Sequence, residues 1–455
     1  MFETLFGMVK EEWRIHSSLF GNFLFASFPL IILAFSFLLS FYTLNNIITL
    51  NKLLLIYHCI FILVGLSVGA FGILGREAMN RRFGHASLIA FSSRTLPLSE
   101  KFIFLNFFIK DLIYYFILWI LPFVAGAYIA FTIKNVYVNF FVIIASIFMS
   151  FLASLSFSFF LSTIYIYSKK LVIAVIFSII LLSKYVFHYI EMLPSISFML
   201  KPSLENLIYS LLISCLLSLT SVNLLKVDYA ENKKRYKNMV ISLEKFLRFS
   251  RYKDFIAKDF IDLNRSEGGL AKLIFSLILP TILIWFILSL NFIPFADFLI
   301  VFAIMLGAIS SSTYNWITEF DVFSSYSFLP IKVSSIIKSK IATYSIINSL
   351  CFIILFIASI KAGLSNLIPS LMAFASVSSY VLAMNIYLTG LHPNILLYNS
   401  KILIQYLLLT SPILLILMFS SKSILFYFFV LAVLAIAYLI IKKSLEKWDK
   451  EEIVF

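Results

Sequence analysis

The chain has 455 residues, of which 62% are hydrophobic, 17% aromatic and only 13% charged, about half the charged fraction of a soluble domain. Length alone would suggest about three soluble domains, but this composition excludes that class and reads as one polytopic membrane domain. The net charge of +14 comes from basic residues scattered between apolar runs, where orientation and anionic headgroups account for them, so membrane lipids rather than nucleic acid are the expected surroundings.

The opening "MFETLFGMVKEEWRIHSS" is amphipathic. Phe2, Leu5, Phe6, Val9 and Trp13 share a helical face, with Glu3, Lys10, Glu11 and Arg14 elsewhere, the pattern of a helix lying in the membrane interface. No small-residue cleavage site follows, so the first span is expected to be retained. Apolar runs long enough to cross lipid then recur at roughly 18–43, 52–75, 104–132, 136–167, 171–187 and 204–225. Residues 226–265 are too polar to span and form a basic cytoplasmic linker, in which Val240, Leu243, Leu247, Phe255 and Ile256 suggest a second amphipathic helix. Six more runs follow at roughly 271–293, 296–316, 341–360, 366–389, 400–419 and 423–441. Lipid tolerates only helices or closed barrels, and no barrel-like alternation is present. The expectation is an all-α protein with 12 transmembrane helices: a first half over 1–225, a linker over 226–265, a second half over 266–441 and a cytoplasmic tail over 442–455.

With the N-terminus inside, 28 Lys and Arg fall in inside segments and 5 in outside ones, Lys52, Lys134, Lys201, Lys361 and Lys422. The positive-inside rule then predicts both termini to be cytoplasmic, and a multi-pass protein of the plasma membrane is expected. Six being even, the second half re-enters with the orientation of the first, which suits a parallel 6+6 internal repeat. Two local similarities favour duplication. "VKEEWRIHSSLFG" beside "AKDFIDLNRSEGG" matches Lys10 and Glu11 to Lys258 and Asp259, ahead of spans 1 and 7. "FSSRTLPLSEKFIF" beside "SSYSFLPIKVSSIIKSKI" matches Pro97 to Pro330, each in a Leu-Pro step suited to the first turn of a helix.

Enzyme chemistry is not expected. No G-x-x-x-x-G-K-[ST] occurs, and "GGLAK" at 268–272 lacks both the spacing and the hydroxyl of a P-loop. His16, His58, His85, His188 and His392 show no metal-ligand spacing, and Cys59, Cys215 and Cys351 show no paired spacing. Asp111, Glu205, Asp297 and Lys184 sit near span ends, where anchoring is the natural role. The outer loops are short, and the longest offers only His188 and Glu191 to grip a phosphate or metal. No catalytic, cofactor or metal residue is therefore assigned. Walls of Ser, Thr, Asn, Tyr and abundant Phe suit a lipid-like or amphipathic cargo.

The second-half loop "TEFDVFSSYSFLPIKVSSIIKSK" resembles the cytoplasmic loop between helices 2 and 3 of ABC-type permeases of the type-2 exporter class. Members tend to show an acidic residue, a glycine two later, a Leu-rich helix, a proline nine beyond the glycine and a lysine ten beyond the proline. Glu319, Pro330 and Lys340 fit that spacing, Asp321 stands at the glycine position, and Ser324 falls in the helix of the loop. The first-half loop "REAMNRRFGHASLIAFSSRTLPLSEK" offers Glu77, Gly84, Leu88 and Pro97, but Gly84 precedes the proline by 13 positions and residue 107 is Phe. The resemblance implies that each loop docks a coupling helix on a separate ATPase subunit. The fused chain would then be a complete exporter permease working with two ATPase copies, using ATP only through that partner and moving a hydrophobic or amphipathic substrate such as a lipid, drug-like molecule or peptide. The alternatives are a secondary transporter of the major facilitator class, a lipid flippase, or a non-transporting scaffold. "GREAMNRRFGHAS" is similar to the facilitator motif G-x-x-x-D-R-x-G-R-R, but Gly84 would put Arg81 at the acidic position and Glu77 at the first glycine.

Overall fold

The computed structural model of the chain describes residues 2–20, 22–44, 49–69, 99–168, 170–172, 174–175, 178, 193–224, 239–248, 250–265, 274–289, 297–319, 331–363, 366–393, 396 and 399–450. Every regular element among them is helical. Nine of the described helices are long and apolar enough to cross a membrane, so the chain is a polytopic helical protein of membrane type. Two shorter apolar helices, Ser27–Thr43 and Ser276–Ser289, stand at the expected first and seventh spans. The expected span at 171–187 lies mostly outside the described residues. The chain divides into two compact units, Met1–Asn232 and Lys233–Phe455, with the boundary inside the basic linker.

The first unit contains α1 (Phe2–Phe20), α2 (Asn22–Thr43), α3 (Leu50–Gly69), α4 (Glu100–Tyr115), a π-helical turn (Phe116–Ile120), α5 (Leu121–Ile133), α6 (Phe140–Tyr167), α7 (Pro194–Leu200) and α8 (Leu204–Asn223). Its main pairings are α3 on α6, α2 on α5, α8 on α6 and α1 on α4. The α3–α6 crossing is close because Gly65 and Gly69 lie one turn apart. A Cβ at Gly65 would sit 2.1 Å from Ser154 Oγ and 2.7 Å from the Phe151 carbonyl oxygen, and one at Gly69 2.6 Å from that of Leu155. Ser158 and Ser162 on α6 donate hydrogen bonds to the carbonyls of Leu66 and Gly69 at 2.7 and 3.0 Å. Small residues on both helices thus replace the hydrophobic drive that lipid does not supply. Tyr57 and Phe61 meet Phe123 edge to face at 4.9 and 5.2 Å and lock α3 to α5.

The second unit contains α9 (Val240–Phe246), α10 (Lys253–Arg265), a π-helical turn (Ile274–Ile278), α11 (Leu279–Ser289), α12 (Phe298–Ser310), α13 (Ser312–Glu319), α14 (Val333–Ala362), α15 (Leu367–Thr389), α16 (Ser400–Ser420) and α17 (Leu425–Lys450). Here α12 packs on α15, α15 on α17, and α14 touches all three, while α10 and α13 both rest on α14. Asp297 starts α12: its Oδ1 accepts from the backbone of Leu299 and Ile300, and its Oδ2 from Asn366 Nδ2. That is the anchoring role its position suggests.

Both π turns have the same cause. Each is followed by a Leu-Pro pair, Leu121-Pro122 or Leu279-Pro280. A proline has no N–H for the carbonyl four residues earlier, so the turn before it widens. Two helices also run further than apolarity predicts. α14 begins at Val333 rather than near 341, and α17 continues to Lys450 rather than ending near 441. In each case the extension is amphipathic, with Ile336 and Ile337 buried on α14 and Leu445 and Trp448 packed on the same apolar cluster from α17.

Candidate coupling site

The site begins in the sequence of α10, "KDFIAKDFIDLNR". Ile256, Ala257, Ile261 and Leu263 turn one face of this helix into protein, and Asp259 falls on that face at 4% exposure. On α14, Ile336, Ile337 and Tyr344 make an inward stripe that includes Lys340, only 1% exposed. The two charges meet, although 81 residues apart in sequence: Lys340 Nζ donates to Asp259 Oδ1 at 2.5 Å.

A charge pair removed from water holds only when its remaining hydrogen-bonding capacity is also met. Thr343 Oγ1, one turn along α14, donates to Asp259 Oδ2 at 2.8 Å. Lys340 Nζ also donates to the Ile317 carbonyl on α13 at 3.3 Å. The pair therefore joins three helices: α10, α13 and α14. The last two flank residues 320–330 of the predicted coupling loop.

An apolar platform surrounds this knot, built from Leu263, Tyr314, Ile317, Ile337, Leu382 and Ile386 among others. The end of α17 closes it. Asp449 Oδ1 accepts from the backbone N–H of Ser334 at 2.8 Å, which supplies the N-terminal cap that Lys332 cannot give α14. Trp448 Nε1 donates to the Ile386 carbonyl at 2.8 Å, and its ring fills the space beside Gly390. That residue has φ +60°, and a Cβ there would lie 2.7 Å from the indole, so glycine is required on both counts. Tyr314 OH donates to the Gly390 carbonyl at 2.9 Å. The ends of α13, α14, α15 and α17, together with α10, are thus bonded into one block.

Of the residues predicted from sequence, Lys340 lies in this block. Glu319 is the last residue of α13, with its side chain outside the described residues. Asp321, Ser324 and Pro330 in the second-half loop, and Glu77, Gly84, Leu88 and Pro97 in the first, also lie outside the described residues. Asp259 was legible as a sequence match to Glu11, but its burial was not. Nothing in the sequence marks Thr343, Asp449 or Trp448 as part of the site. The available signal was an acid and a lysine each embedded in an apolar helical stripe, since such a charge needs a partner to be tolerated.

The matching region of the first unit is built differently. Glu11 on α1 pairs with Arg14 one turn away on the exposed surface, with Arg14 Nε 2.9 Å from Glu11 Oε2, and this contact raises the guanidinium pKa. Lys110 and Asp111 form a buried pair at 3.0 Å, but they are neighbours on α4 and that contact bridges no two elements. His58 is fully buried, with Nδ1 2.7 Å from Ser150 Oγ and Nε2 3.2 Å from Met199 Sδ, and Ser150 in turn donates to Ser195 on α7. It reads as a satisfied core histidine. Among the described residues no three His, Cys, Asp or Glu side chains are gathered as a metal site would need.

No family model, curated protein or solved structure matches this chain.

Proposed function

We propose that the chain is the membrane-spanning permease subunit of an ATP-driven exporter of the ABC type. It carries two six-helix units fused in one polypeptide, lies in the plasma membrane with both termini cytoplasmic, and moves a hydrophobic or amphipathic substrate with a separate ATPase in two copies. The observation that carries this reading is the Asp259–Lys340–Thr343 knot. A motor outside the membrane does work on a permease only if the loop it pushes is rigidly joined to spans. The helices entering and leaving residues 320–330 are joined in that way, to each other and to α10.

Recurring packing within the two units supports the repeat. An amphipathic leading helix packs on the helix after the candidate loop in each, α1 on α4 and α10 on α14. The central crossing recurs as α3–α6 and α12–α15, with Gly65 and Gly69 in one and Gly307 in the other. The next pairing recurs as α6–α8 and α15–α17. The units diverge elsewhere, since α2 pairs with α5 whereas α11 packs on α12.

The deciding experiment is purification of the full chain in mild detergent, asking whether a P-loop ATPase accompanies it at two copies per chain. Charge reversal at Glu319 is expected to weaken that association and uncouple hydrolysis from transport. Purification without any ATPase, combined with proton- or sodium-driven transport in sealed vesicles, would replace this reading with the major facilitator one.

A further inference from the structure

We infer that the corner formed by α9 and the start of α10 is a binding surface for the anionic headgroups of the bilayer. This rests on the chain being a membrane protein and is independent of any ATPase partner.

The amphipathic linker helix cannot rest its apolar face on lipid, because that face is already used. Ile256, Ala257 and Ile261 on α10 are 1%, 0% and 7% exposed, covered by the helices of its own unit. What stays uncovered lies one element earlier: Met239, Val240 and Ile241 at the start of α9 are 40%, 38% and 60% exposed. Ile241 and Lys245 stand one turn apart on the same exposed face of α9, and Arg251 and Lys253 follow directly at the entry to α10. Over the described corner, residues 239–254, four cations, Lys245, Arg248, Arg251 and Lys253, face two acids, Glu244 and Asp254.

An apolar tip of three residues is too small for a protein interface core, whereas a few apolar side chains edged by cations suit the boundary between headgroups and acyl chains. The long basic side chains lay their stems along that boundary and keep their charge at phosphate level. Anionic lipid then adds a Coulomb attraction that a zwitterionic surface lacks. The expected consequence is an anchor whose engagement depends on lipid charge and on salt, placed beside the helix that holds Lys340.

The test uses the full chain with Ile241→Cys and Cys215→Ser. Cys59 and Cys351 are buried, so a thiol-reactive fluorophore marks position 241. The labelled protein is reconstituted in phosphatidylcholine vesicles with and without phosphatidylglycerol, and quenching by a bilayer-borne nitroxide is read. Quenching is expected to rise several-fold with phosphatidylglycerol, to fall as sodium chloride is raised, and to return to the phosphatidylcholine level in Lys245→Glu/Arg251→Glu/Lys253→Glu. The salt series needs no charge variant, so misfolding of the triple variant does not remove the test. Equal quenching in both vesicles would overturn the inference. So would a label shielded only when a protein partner co-purifies, or one shifted by soluble inositol hexakisphosphate without bilayer quenching, which would mark a free-anion site.

Discussion

Glu11 on α1 and Asp259 on α10 occupy matching places in sequence, each after a lysine and each ahead of a long apolar run, yet the two units use them in opposite ways. Glu11 stays at the surface and bonds its own helix through Arg14. Asp259 is driven inward onto Lys340 and fastens α10 to the bundle. The difference shows that a shared amphipathic pattern does not determine a shared attachment. Burial of the surrounding face decides it: Asp259 lies three and four residues from the buried Ile256 and Leu263 and turns inward with them, whereas on α1 Met8, three residues before Glu11, is buried but Phe6 and Trp13 stay exposed. Among the described residues, α10 is thus tied to its bundle through a buried charge, while the contact of Glu11 with Arg14 stays within α1.

The comparison can be broken by substitution, and the largest effect is expected at the buried pair. Lys340→Met takes the lysine's charge away from the buried Asp259 carboxylate, which should cost about 3–5 kcal/mol of second-unit stability, read as unfolding of the purified protein in detergent. Asp259→Asn combined with Lys340→Met should recover much of that loss, because neither charge is then left alone. An unchanged melting profile in Lys340→Met would show that the knot does not hold α10.

The helix crossings come next. Gly69→Ala drives a methyl to 2.6 Å from the Leu155 carbonyl oxygen, and neither backbone can yield without splaying α3 from α6, so a loss of about 1–3 kcal/mol is expected. Gly307→Ala, whose methyl would meet Phe374 and Val377 at 3.1 Å, should be milder in the same unfolding measurement. Equal losses would mean that the two crossings are equally tight.

A smaller effect is expected from Asp449→Ala, which removes the cap on α14 and should cost about 1 kcal/mol. It should also speed hydrogen exchange at the first turn of α14, starting with the Ser334 amide, while leaving α10 protected. The smallest effect is expected at Glu11→Gln: an exposed pair within one turn of helix gains little from its charges, so unfolding should not shift measurably. A destabilisation matching that of Lys340→Met would erase the distinction between the units.

Much of the fold was legible in local pattern. The span over 366–389 is observed as Leu367–Thr389, and that over 204–225 as Leu204–Asn223, since apolarity over a stretch of about 20 residues is a property of that stretch alone. The helix ends were less legible: α14 and α17 extend past their apolar cores through turns that are only half apolar, and packing on the Tyr314–Ile386 cluster sustains them. Amphipathicity marked Val240 to Ile256 as one helix, where the structure has two, α9 and α10, and it did not fix the orientation of α10. A hydrophobic stripe is equally compatible with lipid and protein, and Asp259 within the stripe is what excludes lipid. Only the resemblance to the permease loop points to Lys340, as the lysine ten beyond Pro330, and nothing points to its partner, because no sequence period links residues 259 and 340.

By itself, then, the sequence determined that this is a helical membrane protein, where most of its spans lie, and that most of its charge falls in the polar segments between them. These follow from sums over neighbouring residues, which the chain carries whatever its final shape. Only the tertiary structure decided that Asp259, Lys340 and Thr343 form one knot, that Asp449 caps α14, and that Gly65 and Gly69 bring α3 against α6. Each of these depends on groups distant in sequence arriving within a few ångströms. Burial, which makes an unpaired charge or an unfilled hydrogen bond costly, then selects the arrangement in which they meet.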